Sequence, residues 1–261
     1  MKRFAEFVCC VASLAAFSAL AAGPAPAGTL TAAQIVRKNV AARGGLEAWR
    51  AVDSLALSGE LDAGGKADAK LPFVLSMKRP LKRRLEIRFQ DQTAVQVYDG
   101  ARGWKVRPFL GRDEVEPYTG AEAKADAALV ELDGPLVDYV KKGTKVELAG
   151  TEKVEGRRTY KLKLTMKGGE VRRLWIDAKS FLESKIDGEP RKLDGRPHKV
   201  AVFYRDYRTV NGLTLPYVLE TAVEGVKQTH KIYVRTVTVN PKLADALFAK
   251  PQLPMAQAAG R

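Results

Sequence analysis

Cysteine is almost absent from this sequence of 261 residues. Its two cysteines, Cys9 and Cys10, stand in an apolar run that follows the basic start "MKR" and ends in "ALAAG". A short apolar run before a small-x-small motif is typical of a cleaved signal peptide, whereas a membrane anchor, the alternative, needs about 20 apolar residues. We therefore predict a signal peptide over residues 1–22 and export to the periplasm. Without cysteine, the mature chain can form neither disulfides nor thiol-based catalytic or metal sites.

Histidine is equally rare, and the common catalytic motifs are missing. His198 and His230 do not have the spacing of metal ligands on a helix. The sequence contains no Gly-x-Ser-x-Gly elbow and no complete phosphate-binding loop. We therefore expect no metal, no cofactor and no enzymatic activity. Carboxylates are plentiful, so an exported hydrolase that uses a pair of acids stays open as an alternative.

Positive charge is in excess, with 44 Lys and Arg residues against 30 Asp and Glu residues and a net charge of +14. In an exported protein, this excess favours anionic lipid headgroups as a partner over nucleic acid. A turn is predicted at Pro80. We expect the cations around it to form a basic, solvent-facing hairpin tip: Lys78, Arg79, Lys82, Arg83 and Arg84. A solvated basic surface without a partner is the alternative.

Apolar and polar residues alternate with a period of two through most of the chain. In "YKLKLTMK", residues 160–167, one strand face is apolar and the other is mostly lysine. About eleven such strands predict a large antiparallel sheet, interrupted by a polar loop at residues 188–197. A twisted sheet of this size curls into an incomplete, half-open β-barrel with an apolar cavity. The residues predicted to line this cavity are Phe73, Leu75, Met77, Leu85, Ile87, Phe89, Leu162, Leu164 and Met166.

Helical patterns stand at the N-terminus and in the middle of the chain. Thr31 and Thr119 each begin a capping box, and Gly44-Gly45 ends the first helix, which the short helix "LEAWRAV" follows. The segments "AEAKADAALVEL" and "PLVDYVKK" predict a pair of helices that interrupts the strands and can cover the cavity as a lid. The lid candidates are Leu129, Val130, Leu132, Leu136, Val137 and Val140. Permanent core packing is the alternative for these residues.

No internal repeat or domain boundary is visible in the sequence. We predict one domain over residues 29–250, mainly β with some α, and a flexible C-terminal tail over residues 251–261. Asn240-Pro241 is predicted to cap a last short helix, "KLADALF".

Three segments carry a resemblance to a known family: "VYDGARGWKVRPFLG", the stretch from "LDGPLVDYVKKG" to "FLESKID", and "YRDYRTVNGLTLPYVLE". They resemble the outer-membrane lipoprotein-sorting proteins of the Lol carrier superfamily (LolA/LolB-like), in a divergent branch. The resemblance implies a periplasmic carrier whose half-barrel receives the acyl chains of lipids or lipoproteins under a helical lid.

The resemblance also implies partners, namely an inner-membrane exporter or an outer-membrane acceptor, and an arginine that locks the lid. The sequence does not place that arginine. The alternative function is an envelope sensory or structural protein, which uses the same half-barrel to bind lipid or a partner protein.

Overall fold

The computed structural model describes residues 30–62, 70–120, 122–123 and 131–252. The predicted signal peptide and the lid candidates Leu129 and Val130 lie outside the described residues. The chain begins with two helices, α1 (Ala32–Ala42) and α2 (Leu46–Arg50). Both were predicted, α1 from its capping box, its apolar spacing and its glycine stop. The boundaries of the domain at residues 29 and 250 remain predictions.

Thirteen strands follow the helices in the described part of the chain and form one antiparallel sheet. They are β1 (Ser54–Asp62), β2 (Lys70–Lys78), β3 (Lys82–Phe89), β4 (Gln92–Tyr98), β5 (Gly103–Arg107), β6 (Arg112–Pro117), β7 (Lys145–Val154), β8 (Arg157–Thr165), β9 (Val171–Asp177), β10 (Glu183–Leu193), β11 (Arg196–Val210), β12 (Leu213–Val223) and β13 (His230–Val239). Each strand pairs with its neighbour in sequence, except that β6 and β7 do not pair with each other, and β1 also pairs with β13. The sheet is therefore open, with β6 and β7 at its two edges. These findings confirm the prediction of a mainly β chain with a large antiparallel sheet.

A line of apolar and aromatic residues crosses one face of the sheet through both halves. Residues directly opposite each other on neighbouring strands share a face, so the strand registers can be followed from one half to the other. A line of such positions runs through Leu85, Leu75, Leu57, Leu61, Ile232, Leu219, Tyr204, Val202, Ile186, Leu174 and Leu162. We call this side the inner face, because α1 packs against it.

Helix α1 lies over the C-terminal half of the inner face. Its cap is formed as predicted, since Thr31 and Gln34 exchange both capping hydrogen bonds. The buried Asn39 donates from Nδ2 to the Phe181 carbonyl oxygen at 2.8 Å, and the Phe181 ring stacks on Tyr160 of the inner face at 6.1 Å. These contacts place α1 beside β8 and the β9–β10 turn.

Two glycines end α1 and bring the chain against the β11–β12 turn. Gly44 and Gly45 have φ values of 113° and 95°, which side chains rarely adopt. A Cβ atom on Gly44 would lie 2.2 Å from the Gly212 carbonyl oxygen. The Thr214 amide donates to the Arg43 carbonyl oxygen at 3.0 Å beside this contact. Gly44 is therefore required for packing as well as for the helix end.

The prediction of a helix over "PLVDYVKK" is wrong, because residues 135–143 form a series of bends and turns. Gly134, Asp138 and Gly143 have positive φ values of 75°, 50° and 73°. A positive φ in the middle of the segment interrupts the helical backbone. The periodic apolar residues therefore reflect burial of one side of a turn region.

Two further predictions at strand ends are wrong. The polar loop at residues 188–197 is instead a hairpin, in which β10 and β11 meet at Asp194-Gly195. Asn240 does not cap the last short helix, a 3₁₀ turn over Asp245–Phe248. The Asn240 side-chain oxygen accepts from the Asp53 amide at 2.8 Å and so fixes the start of β1. Strand β6 was not predicted, since four of its six residues are charged.

Candidate functional site

The inner face is covered unevenly. In the half that α1 covers, Leu162 and Leu164 are fully buried. In the other half, the predicted cavity residues Leu75, Leu85 and Ile87 are only half-buried on β2 and β3. Leu75 lies directly opposite Leu85, so their side chains share this face. On β2 and β3, the N-terminal half of the inner face therefore offers apolar side chains with partial access to solvent.

The remaining cavity candidates differ in position and exposure. Phe73 and Met77 are buried on β2, and Phe73 lies opposite Ile87. Phe89 ends β3 and is 40% exposed. Met166 follows the end of β8, where its sulfur accepts a weak hydrogen bond from Thr144 Oγ1 at 3.8 Å. Their role in a lipid cavity remains a prediction.

The segment of residues 118–144 joins the two edge strands, β6 and β7, and we call it the bridging segment. Its first turn has the predicted capping box. The Thr119 amide donates to Glu122 Oε2, and the Glu122 amide donates to Thr119 Oγ1. Lys105 Nζ donates to Glu122 Oε2 at 2.6 Å. Lys105 is opposite Gln96, which is opposite Leu85. The bridging segment therefore starts on the inner side of the sheet.

Burial alone would raise the pKa of the Glu122 carboxyl, but hydrogen bonds from Lys105 and Thr119 lower it below its usual range. Glu122 therefore stays ionised at neutral pH and keeps its ion pair with Lys105. Since Lys105 is buried on β5, this pair fixes the first turn of the bridging segment to the sheet.

The second part of the bridging segment buries three of the lid candidates. Leu132, Leu136 and Val137 are 9%, 1% and 0% exposed, whereas Val140 is 71% exposed. The apolar side predicted for this segment therefore does not include Val140. Its exposure follows from the turn conformation, which does not keep the i, i+3 and i+4 residues on one side as a helix does. Whether the three buried residues act as a lid remains a prediction.

Asp133 fixes the second part of the bridging segment through three cations. Its carboxylate accepts from Arg79 Nη2 at 2.8 Å and from Lys142 Nζ at 2.6 Å. Its backbone carbonyl accepts from Arg43 Nη1 at 2.9 Å. Asp133 itself is 4% exposed. We call these four residues the Asp133 cluster, which joins the end of α1, the β2–β3 turn and the bridging segment.

Arg43 also joins this cluster to polar groups on the inner face. Its Nη1 lies 3.4 Å from Glu183 Oε1, and both side chains are buried. Tyr207 donates from its hydroxyl to Glu183 Oε2 at 3.0 Å. Burial and the Glu183 carboxylate raise the pKa of the Tyr207 phenol above its ordinary value. Tyr207 therefore remains a protonated hydrogen-bond donor to Glu183.

A second, more exposed ion pair holds the bridging segment to α2. Arg50 contacts both carboxylate oxygens of Asp138, at 2.9 and 2.7 Å. The hydrogen bonds from Arg50 lower the pKa of the Asp138 carboxyl to about 2. This pair remains ionised at any pH above the acidic range.

The prediction that the cations around Pro80 form a solvent-facing basic patch is wrong. These five cations are paired or buried within the protein. Lys78 and Lys82 both contact Asp245, Arg84 contacts Glu86, and Arg79 belongs to the Asp133 cluster. Arg83 is on the inner face opposite Met77 and is 8% exposed. Strand alternation separates these residues between two faces, which their proximity in sequence conceals.

Two pockets lie beside these features. One of about 190 Å³ is lined by the Pro80 turn and by Leu132, Asp133 and Lys142. The other, of about 680 Å³, lies on the outer face between Val95, Val106 and the C-terminal residues 246–252. In the described part of the chain, no group of potential ligands could hold a metal ion. None of the described helices has the length and hydrophobicity of a membrane-spanning helix.

Comparison with known proteins gives matches in structure only, since neither a family model nor a curated protein matches the sequence. A LolA superfamily protein from Nitrosomonas europaea aligns over 85% of this chain and 99% of its own, with a TM-score of 0.56 and 15% identity. The chain has a LolA-like fold. A DUF1329 family protein from Desulfovibrio piger aligns over 85% of this chain and 98% of its own, with a TM-score of 0.57 and 16% identity.

A third LolA-like structure is a domain assigned to outer-membrane lipoprotein sorting from Vibrio parahaemolyticus. It aligns over 83% of this chain and 95% of its own, with a TM-score of 0.54 and 13% identity. None of the three proteins is described as an enzyme. The matches confirm the predicted open, curved half-barrel and the predicted resemblance in fold. At such low identity they extend to the fold alone.

Proposed function

We propose that this protein is an exported, periplasmic carrier that binds the acyl chains of lipids or lipoproteins on the N-terminal half of its inner face. The observation that supports this proposal most is the uneven cover of that face. Helix α1 buries the C-terminal half, whereas Leu75, Leu85 and Ile87 keep partial access to solvent. A LolA-like fold and the signal peptide predicted at the N-terminus agree with a carrier in lipoprotein sorting.

The energetics of acyl burial require that such a site be shallow or closed by a moving part. Each buried methylene contributes about 0.8 kcal/mol, so a fully buried 16-carbon chain would contribute roughly 13 kcal/mol. Two such chains would exceed the practical limit of non-covalent affinity, about 18–21 kcal/mol. Cargo bound so tightly would not be released. A partly open surface and a competing protein segment both reduce the net affinity.

In this proposal the bridging segment is the moving part. It starts on the inner side at the Lys105–Glu122 pair, and its second part is held by the Asp133 cluster. Arg43 takes the place of the lid-locking arginine, because it joins α1 to the backbone of the bridging segment. Cargo entry would separate Asp133 from its cations while the sheet stays intact.

The proposal is tested by two substitutions at neighbouring positions of β2. Leu75 faces inward and Val74 faces outward, where it lies opposite Glu86, and both are half-buried. Leu75→Asp places a carboxylate among the acyl contacts, so we expect binding of a fluorescent fatty acid to weaken at least tenfold. Val74→Asp should change this affinity by less than about twofold.

Circular dichroism of both variants shows whether each is folded, which separates lost binding from lost structure. Equal fatty-acid affinity of the folded Leu75→Asp variant and the wild type would contradict binding on the inner face. No binding by the wild-type protein would reject the carrier function itself. In that case the envelope sensory or structural function becomes the better account.

A further inference from the structure

The hairpin formed by β10 and β11 extends past the strands on either side of it. Three opposed pairs of residues lie beyond the last pairs that these strands make with β9 and β12: Arg191 with His198, Lys192 with Pro197, and Leu193 with Arg196. At about 3.3 Å per residue, the hairpin projects about 10 Å from the sheet. We call residues 190–199 the basic hairpin.

The turn and base of the basic hairpin are well defined. Asp194 and Gly195 have φ values of 50° and 77°, which fit the type I′ turn that two-residue hairpins favour. The register shifts at Glu189 and Pro190, where a proline fits a strand interruption. Arg172 Nη2 donates to Glu189 Oε1 at 2.5 Å and secures the base. The projection therefore has a defined turn at its tip and an ion pair at its base.

The basic hairpin carries an excess of exposed positive charge, although the Glu224 carboxylate accepts from the Lys199 amide at its base. Arg191, Lys192, Arg196 and Lys199 are all exposed, and Asp194 is the one carboxylate among these ten residues. None of the four cations forms an ion pair with any residue that the structure describes. They differ in this respect from the cations around Pro80, which are paired or buried within the protein.

Exposed apolar side chains flank this charge. Val171 begins β9 beside the base of the hairpin and is 48% exposed. Val226 is 40% exposed in the β12–β13 turn, and the neighbouring Gly225 lies close to the His198 ring. Leu193 at the tip is half-buried. Cations next to exposed apolar groups suit the boundary between lipid headgroups and acyl chains.

We propose that the basic hairpin, with Val171 and Val226, docks this protein on an anionic lipid bilayer. The cations contact the phosphate-bearing headgroups, and the exposed valines beside the base of the hairpin add apolar contact with the same bilayer surface. A soluble acidic protein would satisfy the cations but would not require the exposed valines. Docking would bring the proposed carrier to the membrane, although it does not depend on cargo binding at the inner face.

The test is co-sedimentation of the purified protein with vesicles of phosphatidylglycerol and phosphatidylethanolamine, and with neutral phosphatidylcholine vesicles, at low salt. The hairpin variant carries Arg191→Gln, Lys192→Gln, Arg196→Gln and Lys199→Gln. The control carries Arg37→Gln, Lys153→Gln, Arg158→Gln and Lys179→Gln, four exposed cations elsewhere. Both variants change the net charge equally.

We expect the wild-type protein and the control to bind the anionic vesicles and to bind the neutral ones weakly. Each cation near the surface adds up to about fivefold in affinity, so the hairpin variant should bind at least tenfold more weakly. Equal losses in the two variants would show an effect of net charge alone and would overturn the proposal. No binding of the wild-type protein to anionic vesicles would also overturn it.

Two further measurements distinguish a bilayer from an acidic protein as the partner of the basic hairpin. Joint Val171→Ser and Val226→Ser substitution should weaken binding to anionic vesicles but leave binding to soluble polyglutamate unchanged. If the valines have no effect on vesicle binding and polyglutamate binds as well as vesicles, the partner is an acidic protein and the bilayer is rejected. Fatty-acid binding without vesicles should be unchanged in the hairpin variant, so failure of docking is distinguishable from failure of the carrier function.

Discussion

Gly44→Ala is expected to destabilise the protein more than any other single methyl addition near α1. The new Cβ atom would lie 2.2 Å from the Gly212 carbonyl oxygen and 3.2 Å from Leu213 Cα. These are backbone atoms, so relief requires that the end of α1 move away from the β11–β12 turn. We expect a loss of more than about 4 kcal/mol in the free energy of unfolding, which belongs to the exceptional range for point mutations.

Gly45→Ala is the matched control for this effect. Gly45 also has a positive φ, of 95°, but a Cβ atom there would meet nothing within 4 Å. Only the backbone strain remains, and we expect a loss of about 1–2 kcal/mol. Urea unfolding of both variants measures the difference. Failure of the Gly44→Ala variant to fold, while the Gly45→Ala variant folds, would also agree with this prediction. Equal losses would show that α1 does not pack on the turn as described.

Asp133→Ala is expected to release the second part of the bridging segment. It removes the carboxylate from Arg79 and Lys142 within a largely buried cluster. We expect the free energy of unfolding to fall by about 2–3 kcal/mol, less than for fully buried pairs because both cations keep partial access to water. If the segment covers the acyl site, fatty-acid uptake should also become faster, as measured by stopped-flow fluorescence.

Asp138→Ala removes a carboxylate from the same segment at a more exposed position. The side chains of Arg50 and Asp138 are 37% and 21% exposed, and pairs of this kind contribute about 0.2–1 kcal/mol. We therefore expect a small loss of stability and an uptake rate close to that of the wild type. If the folded Asp133→Ala variant also takes up fatty acid no faster than the wild type, Leu132, Leu136 and Val137 are permanent core and the lid mechanism is excluded.

The strands of this protein could be predicted because a period of two is a local signal. "YKLKLTMK" defines both faces of β8, and its apolar residues Leu162 and Leu164 are buried. The same signal fails where both faces of a strand are polar. Strand β6 and the tip of the β10–β11 hairpin have no apolar alternation, and their pairing is decided by neighbouring strands and by the Asp194-Gly195 turn.

The candidate site was less predictable because it depends on contacts between distant residues. Arg43 and Asp133 are 90 positions apart, and Arg79 and Asp133 are 54 apart. In the sequence, Asp133 has the features of a helix cap and Arg79 those of a surface cation. Only the fold brings them together. The unpaired charge on the basic hairpin could not be distinguished from the paired charge near Pro80 for the same reason.

The central claim is that the inner face holds acyl chains. Native mass spectrometry of the protein purified from the cells that naturally produce it tests this claim most directly. The account predicts a bound mass that dissociates as a lipid or fatty acid from the wild-type protein, with a much smaller bound fraction in Leu75→Asp and an unchanged fraction in Val74→Asp. A wild-type protein without bound lipid, or one whose lipid is retained equally by folded Leu75→Asp, would contradict it.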